Sequence, residues 1–178
     1  MYNAIPTAEG CIGILLAERT RTLWGTNLLL LGFGPVGQAL GARLAALGAN
    51  VTVCARRAEQ RALAESLSLR GAELARLAAL APAFDTVVNT IPAPVLTEPV
   101  LAALRPGSLI VDLASSPATM SSASRSASSP TPPPSIYSID YLPRALFGNR
   151  DYTASTCRVT SSMFWSGSAA SRWLQCGP

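Results

Sequence analysis

The chain has 178 residues, 49% of them apolar and only 13% charged, with a formal net charge of +4. All fourteen basic residues are arginines and there is no histidine, which excludes a P-loop lysine, a Schiff-base enzyme, a Ser-His or Cys-His nucleophile pair and an HExxH zinc site. A charged fraction well below the roughly 25% of ordinary domains argues for a large buried core, and leaves binding chemistry as the main prospect.

In chain order, a helix is expected from Thr7 to about Thr20, then a short apolar strand over 27–31. Val36, Leu40, Leu44 and Leu47 recur at helical spacing, and a second strand covers 51–54. Residues 58–67 and 74–80 read as helices, with a weak strand near Leu69 between them. A further strand covers 86–89, Thr97 is placed to cap a helix with Pro99 in its first turn, and 109–113 is the last legible strand. Short apolar runs bounded by Gly, Pro or polar residues are what strands buried on both faces require. Their alternation with helices implies right-handed βαβ units and an α/β fold with a doubly wound parallel sheet. Three regions result: an N-terminal helix over 1–24, a ligand-binding domain over 25–120 and a tail over 121–178. The tail opens with a Ser-rich run and the stretch Pro130-Thr131-Pro132-Pro133-Pro134, a composition suited to an extended linker rather than a core. Beyond it no sustained period is legible, so an irregular tail and an incomplete sheet are expected.

The chemistry-bearing motif follows the first strand directly. Gly32-Phe33-Gly34-Pro35-Val36-Gly37 is a G-x-G-x-x-G opening a helix inside a βαβ unit, the context that makes the pattern specific for a dinucleotide and the fold Rossmann-type. The first glycine permits the tight turn, the second lets backbone approach a pyrophosphate, the third allows close helix–strand packing, and the helix N-terminus offers N–H groups to the anion. Pro35 fits, since its missing N–H falls in the first turn. At the end of the second strand, where a carboxylate would grip the ribose hydroxyls of NAD, stands Cys54-Ala55-Arg56-Arg57. Arg56 and Arg57 suit a 2′-phosphate, so NADP is favoured, with NAD still open. A solvated arginine pair is the bland alternative.

Two later strand ends carry polar residues, Asn89-Thr90-Ile91-Pro92 and Asp112-Leu113-Ala114-Ser115. Open parallel sheets bind ligands outside their carboxyl ends, so Asn89, Thr90, Ile91, Pro92, Asp112 and Ser115 are candidates for ribose and nicotinamide contacts. Turn or capping chemistry explains each equally well, and a carboxylate at the end of an apolar strand needs donors whatever its role. Cys11, Cys54, Cys157 and Cys176 form no C-x-x-C pair, so they read as reduced thiols and no metal is expected. The arginines are scattered apart from the pair at 56 and 57, which argues against nucleic acid. The most apolar run, 28–36, is short and broken by Gly32 and Gly34, so a cytoplasmic protein with no membrane partner is expected.

Together these segments resemble the A-subunit family of dipicolinate synthase, the enzyme by which spore-forming bacteria make pyridine-2,6-dicarboxylate. The resemblance rests on the stretch from Tyr2 through Asn3, Ala4, Ile5, Pro6, Thr7, Ala8 and Glu9 to Gly10, on Leu31-Gly32-Phe33-Gly34, on the run from Leu47 to Val53, and on the two strand-end loops above. It covers roughly residues 2–117 and corresponds to that family's C-terminal nucleotide-binding half. It implies pyridine-nucleotide-dependent oxidation of a dihydrodipicolinate-type ring during sporulation, together with a flavoprotein-like second subunit, the B-subunit of that synthase. It also implies that the helix over 1–24, bearing Asn3, Thr7 and Glu9, is a hinge-type helix beside the crevice, within reach of substrate; helix capping by Thr7 and solvation of Glu9 are the structural alternative. No catalytic residue is assigned. The resemblance further implies a separate N-terminal domain ahead of this segment, and past Ser115 the sequence departs from the family's pattern. A jump into Ser, Pro, Arg, Cys and Trp is what a frameshift in a GC-rich gene would produce, so a truncated domain, inactive by itself, is the expectation. Two other readings stay open: a Rossmann domain of another dehydrogenase, of 2-hydroxy-acid or shikimate type, and a noncatalytic nucleotide-binding partner protein.

Overall fold

The computed structural model describes residues 3–114, 135–139 and 159–161. Strand β1 (Asn27–Leu31) carries four consecutive leucines, all fully buried, which requires cover on both sheet faces. Leu28 and Leu30 point into one core layer, with Cys11 and Leu15 of helix α1 (Ala4–Glu18) and Leu40 and Leu44 of helix α2 (Pro35–Ala46). Leu29 and Leu31 point into the other, with Leu77, Phe84, Leu96 and Val100. The same period-2 division runs through β4 (Thr86–Asn89) and β5 (Leu109–Asp112), where Val88 and Val111 join the first layer and Val87 and Ile110 the second. Each such side chain, buried fully, is worth about 1.5–3 kcal/mol relative to exposure.

The sheet order is β3-β2-β1-β4-β5-β6-β7, with β2 (Asn50–Ala55) and β3 (Arg70–Glu73) on one side of β1. Strands β1 to β5 are all parallel, and the order reverses at β1, between β2 and β4. Helices α1, α2 and α3 (Ala58–Ser66) cover one face, while α4 (Leu77–Leu80) and α5 (Glu98–Ala103) cover the other. The sheet is thus doubly wound, as the alternation of strand and helix signals predicts. Strand β6 (Ser135–Ile139) adds in parallel to β5, and β7 (Val159–Ser161) pairs antiparallel with β6. Both lie in the stretch where no sustained period is legible, although Ser-Ile-Tyr-Ser-Ile does alternate; the Ser-rich run and the proline tract fall outside the described residues.

Two helices differ from their sequence-based bounds. The first begins at Ala4 rather than Thr7, because Pro6 falls in its first turn, where no intrahelical N–H is needed. The expected helix over 74–80 divides into a 3₁₀ turn (Leu74–Arg76), α4 and a second 3₁₀ turn (Ala81–Ala83). Pro82 cannot donate to a continuing α-helical ladder.

At the amino edge of the sheet, Arg19, with only 9% of its side chain exposed, ties α1 to the strand starts. Its guanidinium donates to Asp85 Oδ1 at 3.3 Å, to Thr26 Oγ1 at 3.0 Å and to the hydroxyl of Thr86. This network holds the end of the sheet opposite the glycine turn.

Candidate functional site

Because β1, β2, β4 and β5 are parallel, their registers bring four segments to one edge. Leu31 pairs with both Cys54 and Asn89, and Asn89 pairs with Asp112. The residues that follow these strands, Gly32, Arg56, Thr90 and Leu113, therefore come together along the carboxyl edge at the switch point, the place where open parallel sheets take ligands.

The three glycines of the turn are required for different reasons. Gly32 has φ +88°, and a Cβ there would lie 2.6 Å from Thr90 Oγ1; only glycine suits both conditions. Its N–H donates to Cys54 O at 2.9 Å, while the N–H and hydroxyl of Thr90 donate to Leu31 O at 2.9 and 2.8 Å, lacing the ends of β1, β2 and β4 together. At Gly37 a Cβ would meet the Gly32 carbonyl oxygen at 2.7 Å, so the helix lies directly against the turn. Gly34 is different. Its backbone, at φ −76° and ψ −169°, suits any residue, and a Cβ would meet nothing within 4 Å. No neighbouring atom and no positive φ calls for glycine at that position, the N-cap of α2, whereas a pyrophosphate laid on the N-terminus of α2 calls for the space a side chain would fill. The cradle fits a dinucleotide.

The other turn residues divide between core and site. Phe33 is 1% exposed and packs in the core with Leu30 and Leu40, so only its backbone faces the site, and its carbonyl accepts from Gln38 Nε2 at 3.1 Å. Pro35 is exposed in the first turn of α2, and Val36 is half-buried against the core.

Arg56 and Arg57 are exposed in the β2–α3 loop, with Arg57 as the N-cap residue of α3. Arg61, which no sequence motif singles out, holds this loop from below. Its Nη1 donates to Ala55 O and to Arg56 O, both at 3.0 Å, and its Nη2 lies 3.5 Å from Glu73 Oε1 at the end of β3. The spacing of Arg61, four residues beyond Arg57 and so on the same helix face, is the available signal. Cys54, beside this loop, is buried, and burial pushes its thiol up to about 11 despite the nearby Arg61 charge. Its Sγ donates to Glu73 O at 3.3 Å.

Asn89 and Asp112 are buried, at 0% and 3% exposure, and bonded to each other: Asn89 Nδ2 donates to Asp112 Oδ1 at 3.0 Å. Asn89 also closes its own loop, donating to Ile91 O at 3.2 Å and accepting from Ile91 N at 3.0 Å, while Ala114 N donates to Asp112 Oδ1 at 3.0 Å. These bonds fix the loops after β4 and β5 from inside the fold. Ile91 is half-buried and Pro92 exposed on the rim; Ser115 lies outside the described residues.

On α1, Asn3 is exposed at the N-cap, and its carbonyl accepts from the Thr7 hydroxyl at 2.6 Å. Glu9 is exposed, with Oε1 4.0 Å from Arg43 Nη2 in the last turn of α2. The side chains of Thr7 and Glu9 thus have partners within the helix pair. Among the described residues no cluster of His, Cys, Asp and Glu is arranged to hold a metal, and no helix is long and apolar enough to cross a membrane.

A parallel sheet that reverses at β1, with a glycine cradle on the first helix after it, defines a nicotinamide-dinucleotide-binding domain of the dehydrogenase kind. Residues 15–123 match the D-isomer specific 2-hydroxyacid dehydrogenase, NAD binding domain, and the chain belongs to that family. Within it the chain is similar to the dipicolinate synthase A-subunit of Bacillus subtilis (strain 168), with 37% identity over 117 residues, 66% of this chain and 39% of the relative. Two crystal structures agree: the dipicolinate synthase A-subunit from Bacillus halodurans (37% identity, TM-score 0.65, 67% of this chain and 41% of that chain) and its counterpart from Bacillus subtilis (36%, 0.65, 67% and 40%). The resemblance read from the sequence is therefore shown. Phosphoglycerate oxidoreductase from Vibrio cholerae, at 21% identity, TM-score 0.64 and coverage of 83% of this chain and 55% of that one, shares the fold. The chain spans about two fifths of the length of the curated relative it matches.

Proposed function

We propose that this chain binds NADP at the Gly32–Gly37 turn and serves a dipicolinate-synthase-type reaction. In that reaction a dihydrodipicolinate-type ring is oxidised to dipicolinate in the cytoplasm of a sporulating cell, alongside a flavoprotein-like B-subunit. The observation that carries the binding claim is the open cradle at Gly34. The bound nicotinamide supplies the hydride chemistry. The chain's own residues bind and orient: the first turn of α2 takes the pyrophosphate, Arg56 and Arg57 take the 2′-phosphate, and Asn89 with Asp112 fixes the loop that walls the nicotinamide end. The similarity to dipicolinate synthase supports the choice of substrate class. Asn3, Thr7, Glu9 and Ser115 belong to this reading as substrate-side and cofactor-side positions.

The test is a fluorescence titration of Arg56→Asp with NADPH and NADH. Loss of NADPH affinity by about tenfold, equal to about 1.4 kcal/mol, with NADH affinity held or improved, is expected. Unchanged NADPH affinity refutes the 2′-phosphate contact.

A second reading, a nucleotide-binding protein whose acid-base groups come from a partner, is favoured by the engagement of Thr7 with the Asn3 carbonyl and of Glu9 with Arg43. Turnover that appears on adding a partner and is lost in Glu9→Gln supports the catalytic reading; turnover that Glu9→Gln leaves unchanged supports the second.

A further inference from the structure

We propose that Arg61 is the positioning residue that sets the preference of this site for a phosphorylated over an unphosphorylated adenosine ribose. The inference rests on the reading of Arg56 and Arg57 as the 2′-phosphate contacts, and adds the element that holds them in place.

A 2′-phosphate is recognised by a fork of donors held at a fixed position. Arg56 and Arg57 are exposed and lie on a connection between β2 and α3, and two long exposed side chains lose much rotamer freedom when they grip an anion. The less the backbone beneath them moves, the less binding has to order. Arg61 supplies that restraint. One guanidinium nitrogen, Nη1, donates to the carbonyl oxygens of Ala55 and Arg56 together, both at 3.0 Å. These are the last residue of β2 and the first beyond it, so the bond pair fixes where the chain leaves the sheet.

The other nitrogen of the fork, Nη2, lies 3.5 Å from Glu73 Oε1. Glu73 is at the end of β3, directly beside Ala55 in the sheet register. The clamp therefore spans two strand ends and the start of α3. Its donors are directed at protein oxygens rather than at the crevice, which separates its role from that of Arg56 and Arg57. The Arg61 side chain is 20% exposed, against 60% for Glu73, and of its two carbonyl bonds the one to Ala55 O is part-buried, where it counts most, while the one to Arg56 O is exposed.

The clamp bears on discrimination. NADH and NADPH share the pyrophosphate seat at the glycine turn, which Arg61 does not touch, and differ only at the ribose. Loosening the β2–α3 loop therefore weakens NADPH more than NADH. A lysine at this position delivers one ammonium where the guanidinium delivers a planar fork, so it cannot hold the carbonyls and Glu73 from two separate nitrogens, and it restores only part of the preference.

The experiment compares the full chain with Arg61→Met, Arg61→Lys and Glu73→Gln, reading the Kd of NADPH and of NADH by nicotinamide fluorescence and the Tm of each protein. Arg61→Met is expected to raise the ratio of the NADPH Kd to the NADH Kd about tenfold, Arg61→Lys about threefold and Glu73→Gln less than that. A purely structural role lowers Tm and weakens both nucleotides in proportion, leaving the ratio where it was; that result overturns the proposal. Should Arg61→Met not fold, an unaltered ratio in Arg61→Lys has the same force. The underlying reading fails in a different way: a wild-type chain that binds neither nucleotide, or prefers NADH, refutes the 2′-phosphate assignment and the clamp with it. Preference for NADPH with an unmoved ratio in the variants refutes the clamp alone.

Discussion

Gly34→Ala and Gly37→Ala make a matched pair, alike in chemistry and opposite in consequence. At Gly37 the new Cβ lies 2.7 Å from the Gly32 carbonyl oxygen, a backbone atom with no rotamer to escape into. Overpacking of this kind costs about 1–3 kcal/mol. Alanine's better helix propensity offsets about 1 kcal/mol of that, which leaves a net loss of roughly 1 kcal/mol and a Tm lower by about 4–8 °C for a domain near 100 residues. At Gly34 the backbone already suits alanine and the Cβ meets no protein atom within 4 Å. Gly34→Ala therefore leaves stability nearly unchanged: the lower entropy of the unfolded chain contributes about 0.4–1 kcal/mol, and the exchange of glycine for alanine at the N-cap of α2 offsets a similar amount. In the proposed binding mode its methyl group instead occupies the ground the pyrophosphate takes, so the Kd of NADPH is expected to rise about tenfold or more. Thermal unfolding and nicotinamide fluorescence titration, run on both variants, read the two effects separately. A Gly34→Ala protein that binds NADPH like the wild type refutes the argument that this glycine is kept for a ligand.

Asn89→Ala removes the acceptor of the Ile91 N–H and a donor to Asp112 in a buried setting, and is expected to cost about 1–3 kcal/mol in urea unfolding. A loss below a few tenths would show that the pairing does not hold the loop. Burial pushes the Cys11 thiol from 9.0 up to about 12, so the folded chain keeps a proton that the unfolded chain releases above pH 9. The contribution is full below pH 9 and is lost as pH rises toward 12, at about 1.4 kcal/mol per pH unit. Urea midpoints that fall from pH 9 to 10.5 in the wild type, less steeply in Cys11→Ala, are expected; parallel curves would contradict the assignment. Cys11 and Cys54, buried and with raised thiols, are expected to resist alkylation at pH 8 until the chain unfolds, as peptide mass mapping would read.

The parallel sheet is legible in the sequence because its strands are buried on both faces and so stand out as unbroken apolar runs. The strand over 27–31 and that over 86–89 coincide with β1 and β4, and the weak signal near Leu69 is β3 at Arg70–Glu73. The glycine turn is legible because Gly32 and Gly37 are fixed by a positive φ or by close backbone contact, and Gly34 completes the spacing a dinucleotide asks for. What stays hidden depends on contacts between distant residues. Neither the Asn89–Asp112 pair nor the Arg19 network at the opposite edge follows from spacing, since each joins residues that only the sheet register brings together. The Arg61 clamp is local in sequence, yet its acceptors are backbone carbonyls, which carry no residue identity to read. The strands β6 and β7 lie in a stretch whose composition offers no core-forming period.

The most direct test is a titration of the purified 178-residue chain with NADPH and with NADH, following nicotinamide fluorescence. Saturable binding at one site per chain, tighter for NADPH, is expected. Absence of saturable binding by either nucleotide would contradict a working dinucleotide site, and would leave the glycine cradle as inherited architecture without a ligand.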